Sequence, residues 1–440
     1  MPLIKNIVIG VSKQYSPQPI VLGQVGGGAF HSVYLNNSGK TFGWGDNSVL
    51  QLGTNADPFL GTIPDETTPV SVCGTAKTFC KISAGYAHTI AVDKNGRAWA
   101  WGQNNYGQLG DNSTTNRCTP VSVLGASKTF CQIAAGVDSH VLGIDKDGRA
   151  WAWGSNTRGQ LGDNSQVSKR TPISVLGAVK TFCQIAAGGQ FSLAIDKNGQ
   201  AWAWGQNLAG QLGDNTIIST STPVAVLGAT KTFCKIYAAN NHSIAIDKNG
   251  RAWAWGINSV GQLGDNSTTS RRTPVSVAGL TKTFCHVSVG ANHTVAIDKN
   301  GQAWAWGYNL AGQLGDNTTA SRLTPVSVLG TTKTFCQIAL GYSHTIAIDK
   351  NGNVWTWGLN TDGQLGDNST TFTSRRTPVS VLGATKTFCQ IAAGTCHTVA
   401  IDKNGLVWGW GLNSVGQLGD NTTAQRLTPC LLYTSPSPRD

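Results

Sequence analysis

Trp357-Gly358-Leu359-Asn360-Thr361-Asp362-Gly363-Gln364-Leu365-Gly366 is one of eight variants of a single phrase, and its recurrence decides the fold. The Trp that precedes Gly returns at Trp44, Trp101, Trp153, Trp204, Trp255, Trp306, Trp357 and Trp410, at spacings of 57, 52, 51, 51, 51, 51 and 53 residues. A Gln-Leu-Gly triplet follows each, starting at Gln51, Gln108, Gln160, Gln211, Gln262, Gln313, Gln364 and Gln417. A Thr-Pro pair closes each unit, at Pro69, Pro120, Pro172, Pro223, Pro274, Pro325, Pro378 and Pro429. Such a period marks a repeat architecture.

The unit from Phe130 to Leu176 shows how the phrase sits in a fold. Cys131–Ala135 reads as strand A, Val141–Ile144 as B, Ala150–Trp153 as C and, after a long polar loop, Ile173–Leu176 as D. Asp145-Lys146-Asp147-Gly148, between B and C, carries the Gly that a tight hairpin needs for its positive φ. Trp151 and Trp153, two apart, share one face of strand C, with the small Ala152 on the other. Large rings facing small residues let neighbouring sheets nest. The pattern predicts an all-β chain, a β-propeller of eight units of about 51 residues making seven or eight four-stranded blades.

Composition agrees. The chain has one Glu (Glu66), 54 Gly and only 12% charged residues, against a usual share of about 25%. It therefore lacks the side chains that fill exposed helix faces. Fifteen Trp and a 40% hydrophobic fraction exclude disorder, and no apolar run reaches the length of a membrane span. Met1 to Gly10 has one Lys and a short apolar run without a cleavage signal behind it, and reads as no signal peptide. Seven of the eleven Cys recur as Thr-Phe-Cys: Cys80, Cys131, Cys183, Cys234, Cys285, Cys336 and Cys389. Equivalent repeat positions lie too far apart to pair, so these read as buried reduced thiols in a cytoplasmic protein.

Residues 20–429 read as a single propeller of tandem repeats, 1–19 as an N-terminal segment, and 430–440 as a tail that matches no unit and looks like translated vector or adapter sequence. Strand D of the last unit is expected to be missing after Pro429. Lys5–Ile9 is expected to supply it and close the ring.

The pattern Gly-x-x-His-Thr (Gly341 to Thr345), then Trp357 to Gly366, then Thr377-Pro378, resembles the regulator of chromosome condensation repeat, over roughly residues 20 to 429. The resemblance implies a β-propeller, usually of seven blades. Some members are guanine-nucleotide exchange factors for a small GTPase that use a propeller face and an inserted β-wedge, and dock on chromatin. Here no unit holds such an insertion, and Asn55–Glu66 is the only extra loop. Plant ultraviolet-sensing members carry Gly-Trp-Arg-His-Thr loops, absent here. Bacterial propeller-type β-lactamase inhibitor proteins bind an enzyme across one face.

Candidate sites follow from the repeat. His31, His88, His242, His293, His344 and His397 recur in register, with Phe191 in one unit and a shifted His140 in another. Blades hold such rings apart, and Phe191 shows that an apolar ring serves, so they read as structural groups bonding nearby backbone, with no metal and no cofactor. Trp101, Trp153, Trp204, Trp255, Trp306, Trp357 and Trp410 read as framework. No nucleophile–base grouping stands outside the repeat, so no enzymatic activity is expected.

The net charge of +11 suits an acidic partner, protein or nucleic acid. In an antiparallel blade the A–B and C–D loops emerge on one face, here called upper. Arg117, Arg170, Arg271, Arg272, Arg322, Arg375 and Arg376, just before Thr-Pro, are candidate contacts to such a partner. The lower face carries Lys94, Lys146, Lys197, Lys248, Lys299, Lys350 and Lys403. Lower loops are near-identical copies, whereas upper loops differ from unit to unit, where a partner is specified. The reading is a protein-interaction scaffold anchored by Tyr86, Tyr106, Arg158, Tyr308, Tyr342 and Asp362, with the exchange factor as the alternative.

Overall fold

Each unit folds as a four-stranded meander in chain order, and eight such sheets form a ring, an eight-bladed β-propeller. This computed structural model describes residues 23–55, 63–73, 77–125, 129–177, 181–228, 232–278, 282–330, 333–369, 373–382 and 386–432. Blades 1 to 8 span 24–71, 79–122, 130–174, 182–225, 233–276, 284–327, 335–380 and 388–431. There is no helix among the described residues.

Blade 3 is representative: A is Phe130–Ala135, B His140–Asp145, C Ala150–Gly154 and D Lys169–Ser174. Strand D thus begins before the Thr-Pro pair, earlier than the sequence reading put it. It pairs with C through Trp151↔Ser174 and Ala152↔Ile173, and then shifts register to Gly154↔Lys169. That irregularity and the edge position together accommodate Pro172, which has no N–H for a ladder.

Cores lie between blades, not within them. Leu142, Ile144 and Ala152 of blade 3 pack with Phe182 and Trp204 of blade 4, while Trp151 and Trp153 face blade 2. Small residues therefore meet the neighbour's rings, as the alternation predicts. The buried Trp also donates across the gap: Trp153 Nε1 to Gln108 O at 3.0 Å, Trp204 to Gln160 O and Trp255 to Gln211 O at 2.9 Å. Each acceptor is the Gln of the preceding blade's Gln-Leu-Gly.

The ring closes by the same contacts. Trp44 Nε1 donates to Gln417 O at 3.0 Å, and Trp44 packs with Val399, Ile401 and Val407 of blade 8. Asn421 N donates to Thr67 O at 2.7 Å, as Asn164 N does to Ser221 O at 2.8 Å between blades 3 and 4. The strand expected to be missing is present: Arg426–Leu431 pairs with the strand that contains Trp410, and Leu432 is buried behind it. Lys5–Ile9 lies outside the described residues, and the position it was expected to fill is occupied by the chain's own strand.

The Thr-Phe-Cys thiols are exposed rather than buried. In blade 4, Phe182 pairs with Asp196 but Gln184 with Ile195, so Cys183 is the extra residue of a bulge. A one-residue bulge puts Phe182 and Ile185 together in the core and turns the Cys out. Beyond it, strand A faces the axis, and its edge groups are bridged by side-chain amides. Gln184 Oε1 accepts from Ile236 N at 3.1 Å and its Nε2 donates to Ile236 O at 3.4 Å.

Trp101 is the exception among the framework indoles: its Nε1 has no partner among the described residues. Replacing Trp255 by Phe should therefore cost about 1–3 kcal/mol more than replacing Trp101 by Phe. Equilibrium unfolding in urea measures the difference; equal losses would show that the indole–carbonyl link contributes nothing.

Candidate functional site

The upper face is built from C–D loops that are rigid up to their tips. In blade 2, Asn104 sits inside the loop. Its Oδ1 accepts from Leu109 N at 2.9 Å, and its Nδ2 donates to Asp111 Oδ1 at 3.1 Å and Thr115 O at 3.0 Å. Gln108 Oε1 accepts from Tyr106 N at 2.9 Å. Gly107 has φ 79°, and a Cβ there would stand 2.7 Å from Arg170 Cα, so only Gly lets the loop rest on the next blade. The motif residues are thus consumed by the loop itself. The two tip residues, Asn105 and Tyr106, are exposed.

The candidate anchors divide accordingly. Tyr106 and Arg158 stand exposed at C–D tips, whereas Tyr86, Tyr308, Tyr342 and Asp362 are half-buried. Tyr86 and Tyr342 belong to A–B loops stitched to neighbouring blades, by Ala29 N to Tyr86 O at 3.2 Å and by Tyr342 N to Thr395 O at 3.3 Å. All six lie on the upper face, spread over blades 2, 3, 6 and 7.

The candidate arginines also fall into two sets. Arg117, Arg271 and Arg375 each hold an aspartate of their own loop at 2.6 Å (Asp111, Asp265 and Asp367), and Arg322 holds Asp316 at 2.5 Å. Lys169 and Arg426 do the same for Asp163 and Asp420. Partial burial opposes ionisation of Asp111, but hydrogen bonds from Ser113 and Arg117 outweigh it and hold the carboxyl below its ordinary range. Arg170, Arg272 and Arg376 are exposed and have no ion pair among the described residues. Sequence spacing could not separate the two sets; the alternation of strand D does.

Beneath this face lies a ring of buried imidazoles. His140 is in register with the others, since His140↔Gly154 repeats His88↔Gly102. The apparent shift is one extra residue in the A–B loop, absorbed by Ser139 at φ 64°. Where a ring-nitrogen partner is seen, for His31, His140, His344 and His397, it is a side-chain hydroxyl rather than the expected backbone: His31 Nε2 lies 3.3 Å from Thr89 Oγ1 and His397 Nε2 3.0 Å from Ser32 Oγ, each across a blade boundary. His88 and His242 have no ring-nitrogen partner among the described residues. Burial pulls these imidazoles down, to about 3 for His31, His140, His242, His344 and His397 and about 4 for His88 and His293. The described residues contain no group of His, Cys, Asp or Glu arranged to hold a metal.

On the lower face, the B–C hairpins are held by their own aspartates. Asp93 is buried; its Oδ1 accepts from Asn95 N and Arg97 N, and its Oδ2 from Trp99 Nε1 at 3.0 Å, so it caps its own hairpin. Lys77 Nζ sits 3.6 Å above the Trp99 ring. Lys94 and its equivalents project into solvent.

With this geometry in place, relatives are recognisable. The model for the RCC1-like domain matches residues 7–231 and 215–439. The chain belongs to the RCC1-like domain family. It is 28% identical over 351 residues to the ultraviolet-B receptor UVR8 of Arabidopsis thaliana, covering 78% of each chain. It is 30% identical over 333 residues to the human E3 ubiquitin-protein ligase HERC2, covering 74% of this chain but 7% of that protein. In structure it resembles Prp20p of Saccharomyces cerevisiae, with TM-score 0.64, 20% identity, and 90% and 93% of the two chains covered. The last likeness concerns the fold alone.

Two expectations follow. The unfolded chain binds protons at His near pH 6.5, whereas the folded rings resist down to about 3 or 4. Their contribution is therefore full above pH 6.5 and is lost as pH falls, at ~1.4 kcal/mol per pH unit for each ring. His242→Phe, copying Phe191, should flatten the pH dependence of urea unfolding between about pH 6 and 5 by one such increment. An unchanged slope would mean that His242 is not buried neutral.

For the thiols, partial burial raises the pKa of Cys80, Cys131, Cys183, Cys234, Cys285 and Cys336, while burial pushes Cys396 and Cys430 to about 12. The seven Thr-Phe-Cys thiols should react in native protein with a small disulfide reagent, faster as pH rises, and Cys396 and Cys430 only after denaturation. Protection of the seven would contradict the bulge.

Proposed function

We propose that this chain is a non-enzymatic protein-interaction propeller that binds a protein partner through its upper face, with Tyr86, Tyr106, Arg158, Tyr308, Tyr342 and Asp362 as anchors. The observation that carries the reading is the contrast within one loop. The motif residues Asn104, Gln108 and Gly107 are fixed by hydrogen bonds and packing, while Tyr106 beside them is 44% exposed. Loop frames that repeat and tips that differ suit recognition by many small contacts, with aromatic and Arg side chains as the anchors. A cytoplasmic setting suits eleven free cysteines, seven of them exposed.

The alternative is a guanine-nucleotide exchange factor for a small GTPase with chromatin contact. The unpaired Arg170, Arg272 and Arg376 favour it, as do the Gsp1p and histones named for Prp20p. A nucleotide-release assay with a small GTPase separates the two readings.

The face itself is tested with two variants against a partner recovered by pull-down. Tyr86, Tyr308 and Tyr342 changed to Ala should weaken binding roughly tenfold or more. Lys94, Lys248 and Lys350 changed to Ala should alter mainly its salt dependence. Loss in the second variant but not the first would place the site on the lower face.

A further inference from the structure

Blade 4 departs from its neighbours on the upper face. Where blade 6 has Asp316-Asn317-Thr318-Thr319-Ala320-Ser321-Arg322, blade 4 has Asp214-Asn215-Thr216-Ile217-Ile218-Ser219-Thr220. Two branched apolar residues replace polar or small ones, and the cation that should hold the aspartate is gone. Ile218 is 72% exposed, Ile217 47%, the tip residue Leu208 66%, and Val167 in the adjoining loop of blade 3 66%.

The segments that carry these side chains are linked. Asn207, next to Leu208, donates through Nδ2 to Ile218 O at 3.2 Å. Asn164 N donates to Ser221 O at 2.8 Å, which ties the loop of Val167 to the strand that follows Ile218. A Cβ on Gly159 would lie 2.7 Å from Ser221 Cα, so Arg158 borders the patch on one side. A Cβ on Gly210 would lie 2.8 Å from Arg272 Cα, so Arg272 borders it on the other. Both arginines are exposed and unpaired among the described residues. Of the carboxylates in these loops, Asp163 is paired with Lys169 and Asp265 with Arg271, while Asp214 accepts from Asn207 Nδ2 and from Thr216.

The geometry points to a docking sector on blades 3 to 5 for an acidic peptide segment whose spaced branched apolar side chains seat on Val167, Leu208, Ile217 and Ile218 while its carboxylates meet Arg158 and Arg272. Clustered exposed aliphatics on a soluble surface mark an interaction site. The flanking guanidinium groups and the chain's +11 charge select the sign of the partner. The inference rests on the upper-face reading and names a sector outside all four of its aromatic anchors.

The test uses the full chain and three short fluorescein-labelled synthetic peptides: Leu spaced among Glu, the same with Lys for Glu, and the same with Ser for Leu. Fluorescence anisotropy should show the first binding roughly tenfold or more tighter than either other. Leu208→Ser with Ile218→Ser should lower that binding roughly tenfold, and Leu310→Ser, at an exposed tip of blade 6, should not. Arg158→Glu with Arg272→Glu should weaken the acidic peptide and strengthen the basic one. Unchanged unfolding midpoints show that the variants fold. Failure of the acidic peptide to bind, preference for the basic one, or indifference to Leu208→Ser with Ile218→Ser overturns the sector. Binding lost only in the Tyr86, Tyr308 and Tyr342 variant overturns the sector but keeps the upper-face reading; pull-down loss only in the lower-face Lys variant overturns that reading itself.

Discussion

The structure depends on a buried main-chain carbonyl, that of the Gln in each Gln-Leu-Gly. Gln211 O takes an indole N–H from Trp255 and a hydroxyl from Ser243, both at 2.9 Å and both from the following blade. Gln313 O likewise takes Trp357 at 2.9 Å and Thr345 at 3.0 Å. A buried carbonyl without such donors costs about 1–3 kcal/mol. No blade is therefore complete without its successor, and the chain reaches closure only when Trp44 and Ser32 meet Gln417 O. That requirement accounts for the return of Trp and Gln in every unit.

A ring of this kind leaves a second problem at its centre, where the inner strands lie side by side without pairing. Unpaired strand edges are costly when dry and adhesive when wet. Glutamine amides act as substitutes for a strand: Gln24 Nε2 reaches Cys80 O at 3.0 Å while Ile82 N reaches back to Gln24 Oε1 at 3.3 Å. Lys81 and Lys235 do the donor half of the task with their ammonium groups. The axis is thus polar by construction.

What was legible in the sequence is what repeats by side-chain chemistry. The Trp–Ala alternation, the Asp-Lys-Asn-Gly hairpins and the unit length all follow from residue types at fixed offsets. What was not legible arises from backbone irregularities that residue types do not announce. Strict alternation from Ile185 puts Cys183 in the core; one bulged residue puts Phe182 there instead. Proline at position 172 argues for a strand that starts after it, yet an edge strand with a register shift takes it in. The split between ion-paired Arg271 and free Arg272 was hidden for the same reason: adjacent residues, opposite faces of strand D.

The closed frame also determines where specificity is able to reside. Phe191 occupies an imidazole position and is fully buried, where a Cβ on Gly188 would stand 2.4 Å from its ring. The site beneath the loops therefore selects volume, and its changes stay silent at the surface. Tips carry two residues each, too little for a standard interface of roughly 800 Å² per partner. Recognition must accordingly be assembled from adjacent blades whose relative positions the indole–carbonyl links hold fixed. A partner then meets a preorganised surface and loses less affinity to ordering it. Divergence at a single blade, as at Ile217 and Ile218, changes that surface without disturbing the ring that presents it.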